Sequence, residues 1–386
     1  MRLSEASLDD LRARNPVADI ADRLGVKLRP SGRRMMGPCP ICGGDPRRAG
    51  RFEAKTTDRW VCVVCQDGGD VIRLVQKALG LSFRAAVEWL GGAQEIDPST
   101  AERVVRERAA ADARRQAEEA VRREEERRRL HQIWSEAADI AGTPAWGYLV
   151  GRSIDAPGLR LRTIPEMPFY HGRSTDGRPR VIHVGPVMLA AVTRPDGRFG
   201  GLHITWLHPA FDGRKAEIFD PDTSEALPAK KMRGTVKAGR IELFRPAGPP
   251  RRLVMGEGIE TTASAFACEV ADEATGETIY WAAGDLGNLG GPAKGTVPHP
   301  TLCTPAGHPL RVAGDEPDLG APAIPIPEGV STAILLGDGD SDAFTTRTAL
   351  NRAAQRYAHQ GIDARIAWAP SGMDLNDLLR EGERWA

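Results

Sequence analysis

A multidomain chain of α/β and α+β character is predicted by three features of these 386 residues. Two C-x-x-C pairs stand near the start, nineteen residues apart; after Pro98 no Gly or Pro occurs until Gly142, while Arg and Glu alternate in short blocks. After residue 251, short apolar runs alternate with helical patterns, and two of those runs end in acidic residues.

Residues 8–28 read as helix interrupted at Pro16, since Val17, Ile20 and Leu24 recur at helical spacing and Gly25 supplies a stop. Cys39-Pro-Ile-Cys42 and Cys62-Val-Val-Cys65 follow. The N-terminus lacks a signal-peptide core, and no apolar run approaches the roughly 18 residues that a membrane span takes, so the expected location is cytoplasmic. There, paired cysteines argue for metal over disulfides. Four thiolates on a small ribbon of strands satisfy a tetrahedral Zn²⁺ and close its coordination, which makes the site structural. So small a ribbon cannot bury enough apolar surface alone, and zinc becomes part of its folding energy. Cys268 is expected to pack in a helix, and neither it nor Cys303 is assigned chemistry.

Between Arg29 and Arg59 lie eight cations (Arg29, Arg33, Arg34, Arg47, Arg48, Arg51, Lys55 and Arg59) against Asp45, Glu53 and Asp58. With Phe52 and Trp60 among them, the segment is expected to hold single-stranded DNA, bases on rings and phosphates on cations; a solvated basic face is the alternative. Ten Arg and eight acids between Ala101 and Leu130 can form a helix laced with i,i+4 pairs but give almost no apolar stripe to dock, so a helical linker is expected. Val187–Thr193 and Gly201–Leu207 form a hairpin around Arg194-Pro-Asp-Gly197. Residues 140–255 carry 18 Lys/Arg against 10 acids, whereas 256–386 carry 8 against 19, so a basic subdomain would face an acidic one.

In the last third, strands are expected at Leu253–Met255, Ile279–Ala283, Thr332–Leu336 and Ala364–Trp368, and helices at Thr261–Val270, Ala343–His359 and Leu375–Arg380. The stretch I-L-L-G-D-G-D-S-D (334–342) would bring Asp338, Asp340 and Asp342 to the carboxyl edge of a parallel sheet, where such sheets bind ligands. Carboxylates that close raise one another's pKa or need a divalent cation, and hard oxygen ligands suit Mg²⁺ or Mn²⁺. A solvated acidic turn is the alternative. Arg252–Thr262 repeats the layout, placing Glu257 at a strand end between Gly256 and Gly258. The expected divisions are 1–97, a zinc-binding domain; 98–141, a charged helical linker; 142–250, a basic subdomain; and 251–386, an α/β domain with a Gly- and Pro-rich insertion at 285–330, either a lid or irregular.

A strand-end Glu with a second strand-end Asp-x-Asp resembles the Toprim domain. A-P-S-G-M-D-L-N-D-L-L (369–379) resembles the stretch closing that domain in DnaG-type primases, with Asp374 at its acid. Residues 37–90 resemble the zinc-binding domain of the same primases in G-P-C-P-I-C, R-W-V-C-V-V-C and the G-G-D that precedes an apolar helix and L-S-F-R-A-A-V. That family commonly has His as second ligand where Cys42 stands here, and zinc accepts either. Ala145–Ile154 resembles the Y-L-x-x-R-G-[IL] element, with Ser153 where Gly is usual, which makes Arg152 a nucleic-acid or nucleotide contact. Ala229–Gly234 stands where the family carries a basic phosphate-contacting loop, so Lys230, Lys231 and Arg233 would touch template or triphosphate.

The resemblance is strong in 37–90 and in the acidic motifs, and weaker in 140–250. It implies synthesis of short RNA primers on single-stranded DNA by metal-dependent nucleotidyl transfer. Asp338 and Asp340 would hold Mg²⁺ or Mn²⁺, Glu257 would act as ligand or acid/base, and Asp342 and Asp374 would assist. Implied partners are the template strand, NTPs and a separate replicative helicase, since no G-x-x-x-x-G-K-[ST] occurs for a fused one. So compact a form resembles those of phages and mobile elements. Two other functions remain open: a non-catalytic single-strand-binding replication accessory, and a Toprim-type DNA-cleaving enzyme.

Overall fold

The break at Pro16 separates two helices, α1 (Glu5–Arg14) and α2 (Val17–Arg23), and Gly25 follows the second at φ +82°. This computed structural model describes residues 5–31, 34–42, 52–54, 57–65, 67–91, 98–155, 157–174, 176–210, 212–271, 276–304 and 307–382. It divides into two units, Met1–Ala120 and Val121–Ala386. Among the described residues, no helix is long and apolar enough to cross a membrane.

In the first unit, β1 (Arg29–Ser31), β2 (Arg34–Gly37), β3 (Phe52–Ala54), β4 (Arg59–Cys62) and β5 (Asp67–Asp70) form an antiparallel sheet in chain order. The G-G-D segment is explained by packing. A Cβ at Gly68 would lie 2.7 Å from the Trp60 carbonyl oxygen, and Asp70 both caps α3 (Val71–Leu79), accepting from the Arg73 N–H at 2.9 Å, and pairs with Arg12 of α1 at 2.8 Å. Ser82 caps α4 (Phe83–Trp89) in the same way. Leu11, Ile20, Ile72, Leu74 and Val87 fill the core.

One expectation here is corrected. Phe52 and Trp60 are fully buried and stacked on each other, ring centroids 5.4 Å apart, and the Trp60 indole donates to the Asp70 carbonyl. Strand alternation turns both rings inward, so they are core rather than a base-stacking platform. Of the expected basic surface, Arg34 pairs with Glu53, and Arg29 and Arg59 are exposed; Arg33, Arg47, Arg48, Arg51 and Lys55 lie outside the described residues.

The charged segment forms one helix, α5 (Pro98–Glu136). It does dock at its C-terminal end. Leu130, Ile133, Trp134 and Ala137 recur at i, i+3, i+4 and i+7, and pack with Phe169, Leu189, Leu202 and Trp206 in the second unit. The stripe begins where the Arg/Glu blocks stop.

The second unit continues with β6 (Ala138–Asp139), α6 (Pro144–Val150), β7 (Leu161–Arg173), β8 (Pro179–Thr193), β9 (Phe199–Trp206), β10 (Ile218–Phe219), β11 (Ala226–Leu227), β12 (Lys230–Gly234) and β13 (Arg240–Phe244). The expected hairpin is present as β8 and β9, antiparallel with Val187 opposite Trp206. The segment 229–234 is an edge strand rather than a loop, held to β9 with Lys231 opposite Ile204. Its alternation then sends Lys230 and Met232 to one sheet face and Lys231 and Arg233 to the other.

Next come β14 (Arg252–Gly256), α7 (Ile259–Ala271), β15 (Thr278–Ala282), α8 (Leu286–Gly290), β16 (Thr296–Cys303), β17 (Pro309–Ala313), β18 (Thr332–Gly337), α9 (Ala343–Ala358), β19 (Asp363–Trp368) and α10 (Leu375–Glu381). Ten strands make one sheet in the order β12-β9-β8-β13-β15-β14-β18-β19, with β7 pairing β8 and β6. Within it β15, β14, β18 and β19 are parallel. The helix α7 covers the face that also packs α6 and α10, while α8 and α9 cover the other. The insertion is not irregular throughout: it contains α8 and the hairpin β16–β17. Buried Arg352 and Arg356, one turn apart on α9, hold it through backbone carbonyls, Arg352 donating to Gly291 at 2.8 Å and Arg356 to Pro292 and Asp318 at 2.9 Å.

Leu130 is fully buried and Val121, on the same helix, is 57% exposed. Leu130→Ala is therefore expected to destabilise the second unit by about 2–5 kcal/mol in chemical denaturation, while Val121→Ala stays within about 0.5 kcal/mol of the unmutated chain.

Candidate functional site

Cys39 and Cys42 sit in the turn after β2, Cys62 ends β4, and Cys65 closes the following turn. Their four Sγ atoms lie within 4.8 Å of one another, with Cys39 to Cys65 at 3.7 Å and Cys42 to Cys62 at 4.0 Å. A tetrahedron with Zn–S bonds of about 2.3 Å has edges of about 3.8 Å, so the sulfurs fit the ion. The N–H groups of Ile41 and Cys65 donate to Cys39 and Cys62, each at 3.4 Å, and favour thiolate. Burial opposes that charge, pushing the Cys39 thiol up to about 11 and raising Cys65 as well. A cation resolves the conflict, so the ribbon's fold and its metal are linked.

The second site lies along the carboxyl ends of the parallel strands. In chain order those strands run second, first, third, fourth across the sheet, so the connections diverge between β14 and β18. Glu257 follows β14 and Asp338 follows β18, one on each side of this switch point, where open α/β sheets bind ligands. The turns that carry them are tight. A Cβ at Gly339 would come within 2.0 Å of the Pro370 carbonyl oxygen, because Gly339 donates to Met373 and accepts from Gly372, both at 2.8 Å. These bonds knit D-G-D to P-S-G-M-D and bring Asp374 beside Asp338.

The Asp338 carboxylate accepts from the Thr261 hydroxyl at 2.9 Å and from the Leu375 N–H. Burial nevertheless raises its pKa to about 6, with Asp374 and Asp340 adding repulsion. Glu257 is raised too, by burial first and then by Asp285 and Asp340, against the pull of Lys230 and the Leu286 N–H. Asp340 is exposed and acts on both. Asp342 and Asp374 are helix caps. Asp342 accepts from Thr345 and lies 3.0 Å from His299, which with the cap holds it at about 2; Asp374 forms a capping box with Asp377. Among the described residues, the four cysteines are the group with three or more donor atoms already within ligand reach, so the carboxylates face one another without closing such a group.

Lys230 lies on the acidic face, and Lys231 and Arg233 on the opposite one: Lys231 stands 3.5 Å over the Phe169 ring and Arg233 pairs with Glu126. Arg152 is half-buried on the α7 side, donating to Asn376 at 3.2 Å and Gly213 at 3.3 Å. Ser153 beside it has φ +62°, the left-handed conformation in which glycine is unstrained.

Sequence reasoning missed Asp285 and Glu260. Asp285 follows β15 as strand, Gly, acid, the same layout that singled out Glu257. Glu260 lies in the first turn of α7 with no such signal; it accepts from the Tyr148 hydroxyl at 2.6 Å and pairs with Lys215 at 2.8 Å. Burial opposes its charge, yet Lys215 and Tyr148 hold its pKa at about 2. Nearby His203 is buried and pushed down to about 4.

Residues 3–106 match the CHC2 zinc finger family. This ribbon resembles that of DnaG-type primases. Residues 124–243 match a domain of unknown function, DUF7146. No curated protein matches the chain. Among solved structures, the zinc-binding and RNA polymerase domains of the Aquifex aeolicus primase are 15% identical, with 98% of this chain and 83% of that one covered at a TM-score of 0.35. A DNA primase domain from Pseudomonas aeruginosa is 14% identical over 66% and 74%, TM-score 0.36, and a DnaG primase catalytic domain bound to single-stranded DNA is 13% identical over 69% and 79%, TM-score 0.37. At these identities and TM-scores the likenesses transfer no residue roles to this chain.

For the primase-type ribbon, elemental analysis of protein purified without chelator is expected to find one zinc per chain. Cys62→Ser should lose most of it and unfold the first unit while the second keeps its circular dichroism; an unmutated chain without zinc overturns the assignment. For Asp338, a folded-state pKa of about 6 against an ordinary 3.8 means that ionisation opposes folding as pH rises between those values. Asp338→Asn should therefore stabilise the metal-free second unit at pH 7.5, by up to about 3 kcal/mol, and the gain should vanish below pH 4 in thermal melts.

Proposed function

We propose that the chain is a DnaG-like primase that makes short RNA primers on single-stranded DNA by metal-dependent nucleotidyl transfer. One observation carries this: Glu257 and Asp338 stand at the ends of adjacent parallel strands, at the switch point, both with pKa values raised by burial and by carboxylate neighbours. Carboxylates left uncompensated in this way suit a divalent cation.

Asp338 and Asp340, with Glu257, would hold Mg²⁺ or Mn²⁺, and Asp342 and Asp374 would support them as helix caps. Bound there, the ions would neutralise the triphosphate and activate the attacking 3′-hydroxyl. Thr261 and the Leu375 N–H orient Asp338 before a cation arrives. Glu257, whose pKa is raised by burial and then by neighbouring acids, would serve either as a ligand or as the base that takes the 3′-hydroxyl proton as that oxygen attacks the α-phosphorus and pyrophosphate leaves. Lys230 on the same face would meet the triphosphate, and Arg152, held by Asn376 and the Gly213 carbonyl, would meet nucleotide or template. The four-part division at 97/98, 141/142 and 250/251 is kept as the functional partition, a Toprim domain last, with NTPs and a separate replicative helicase as partners in the cytoplasm.

A topoisomerase, the DNA-cleaving enzyme that forms a covalent link to the strand, would need a nucleophilic tyrosine. Tyr148, Tyr280 and Tyr357 are buried, bonded to Glu260, Glu269 and the Ile324 carbonyl, and Tyr170 stands with Lys231 on the other sheet face. The non-catalytic accessory is favoured by one observation, that the described acids do not close a coordination group. Synthesis from NTPs on single-stranded templates with Mg²⁺ or Mn²⁺ decides between them. The unmutated chain is expected to make primers, and Glu257→Gln to lose at least 100-fold in rate while still binding the template. Full synthesis by Glu257→Gln removes it from the chemistry, and no synthesis by the unmutated chain leaves the accessory function.

A further inference from the structure

On the sheet face turned away from Glu257 there is a half-open cavity of about 660 Å³, between the docked end of α5, β7, the start of β8, β9 and β12. Its position follows from strand alternation. In the β12–β9 register, Lys230 and Met232 lie opposite Thr205 and His203, while Lys231 and Arg233 lie opposite Ile204 and Leu202. Ile204 and Leu202 belong to the core cluster that contains Leu130 of α5, and His203 senses the charge of Glu260 across the other face. The cavity is thus separated from the acidic centre by the thickness of the sheet.

Its lining has two kinds of group. Among the described residues, four cations reach it, Arg129, Arg178, Lys231 and Arg233, and no carboxylate residue lines it. Arg233 pairs with Glu126 and Arg178 lies 3.5 Å from exposed Asp176, but Arg129 and Lys231 have no ion-pair partner among the described residues. The remaining walls are apolar, with Tyr170 40% exposed at the mouth and Trp206 in the floor. Trp206 is fixed there by its indole N–H, which donates to the Met167 carbonyl at 2.9 Å, and by the edge of Phe169 at 4.8 Å.

We propose that this cavity is a nucleotide site distinct from the acidic centre, holding one nucleoside phosphate with its base against Tyr170 and its phosphate on Arg129 and Lys231. An inorganic anion would leave the apolar walls unused, and a simple acyl chain would leave most of the cations unpaired. A nucleotide satisfies both, and the volume lies within the roughly 300–1,000 Å³ of sites for ligands of that size. Guanidinium planes both stack on bases and take phosphate oxygens in pairs. The ligand is either a free nucleotide or one nucleotide of a single strand, since the same chemistry serves both. The site does not depend on the function proposed for the carboxylates.

The test is equilibrium binding of ATP, of an oligothymidylate and of inorganic phosphate to the full zinc-loaded chain in magnesium-free buffer. Saturable binding of ATP or of the oligonucleotide is expected, at least tenfold tighter than that of phosphate. Arg129→Ala with Arg178→Ala, both exposed positions, should weaken it at least tenfold, and Tyr170→Ala separately by several-fold; Arg198→Ala, on the exposed β8–β9 turn, should leave it within twofold. Binding of ATP alone identifies a free nucleotide as ligand, and binding of the oligonucleotide alone identifies a strand. The proposal is overturned if neither binds, if phosphate binds as tightly as the nucleotides, or if the Arg129/Arg178 and Tyr170 variants bind like the unmutated chain.

Discussion

Like charges brought together at the end of a sheet are the constraint around which the second unit is arranged. Asp340 acts on both Glu257 and Asp338, Asp285 acts on the first and Asp374 on the second, and Glu257 and Asp338 are themselves substantially buried. Left alone, such a group would open or protonate. Each contact that resists this comes from a different part of the chain: Thr261 from α7, the Leu375 N–H from the start of α10, Lys230 from an edge strand on the far side of the sheet order. The backbone bonds at Gly339 close the loop against Pro370 before any side chain is considered. Stability given up at the acidic edge is recovered in the apolar faces on either side, where α7 and α9 bury Phe266, Leu350 and Tyr357.

A second polar network lies behind the first and has the opposite character. Glu260, Tyr148 and Lys215 are mutually satisfied, and Asn376 links the Arg152 carbonyl to Ser264. Fully partnered groups of this kind rigidify what they touch. They tie α6, α7 and α10 together, so Glu260 of α7 serves the architecture three residues after Glu257 is left with its charge opposed by burial and by neighbouring acids.

Much of this was legible in the sequence, and the failures have physical causes. The strands β14, β15, β18 and β19 were found because buried parallel strands are continuous apolar runs, and Glu257 and Asp338 because acids interrupt those runs abruptly. The cysteine ribbon needed only spacing. β7 was missed because Pro165 and Pro168 argue against a strand; Pro165 falls at an irregularity in the β7–β8 register, while Pro168 stands in the ladder opposite Val184. Phe52 and Trp60 were read as surface rings because their neighbours are charged, whereas alternation along β3 and β4 places neighbours on opposite faces. Lys230, Lys231 and Arg233 were grouped as one basic loop, and the same period of two divides them. Arg352 and Arg356 carry no signal of their role in the sequence, since nothing local shows that their partners are carbonyls some forty to sixty residues earlier.

Those two arginines have a consequence for how the insertion can change. They grip it by carbonyl oxygens, which every amino acid supplies, and these bonds themselves ask nothing of the side chains they pass. Apart from buried His299, which meets Asp342, and buried Ile324, which packs with Leu350 and Tyr357, residues in the insertion can be exchanged provided the main chain still passes the same few points. Arg352 and Arg356 have no such latitude, because a lysine would offer a single point charge where each guanidinium now spans several acceptors. The insertion is a region of loose spelling fastened by two letters that cannot be altered.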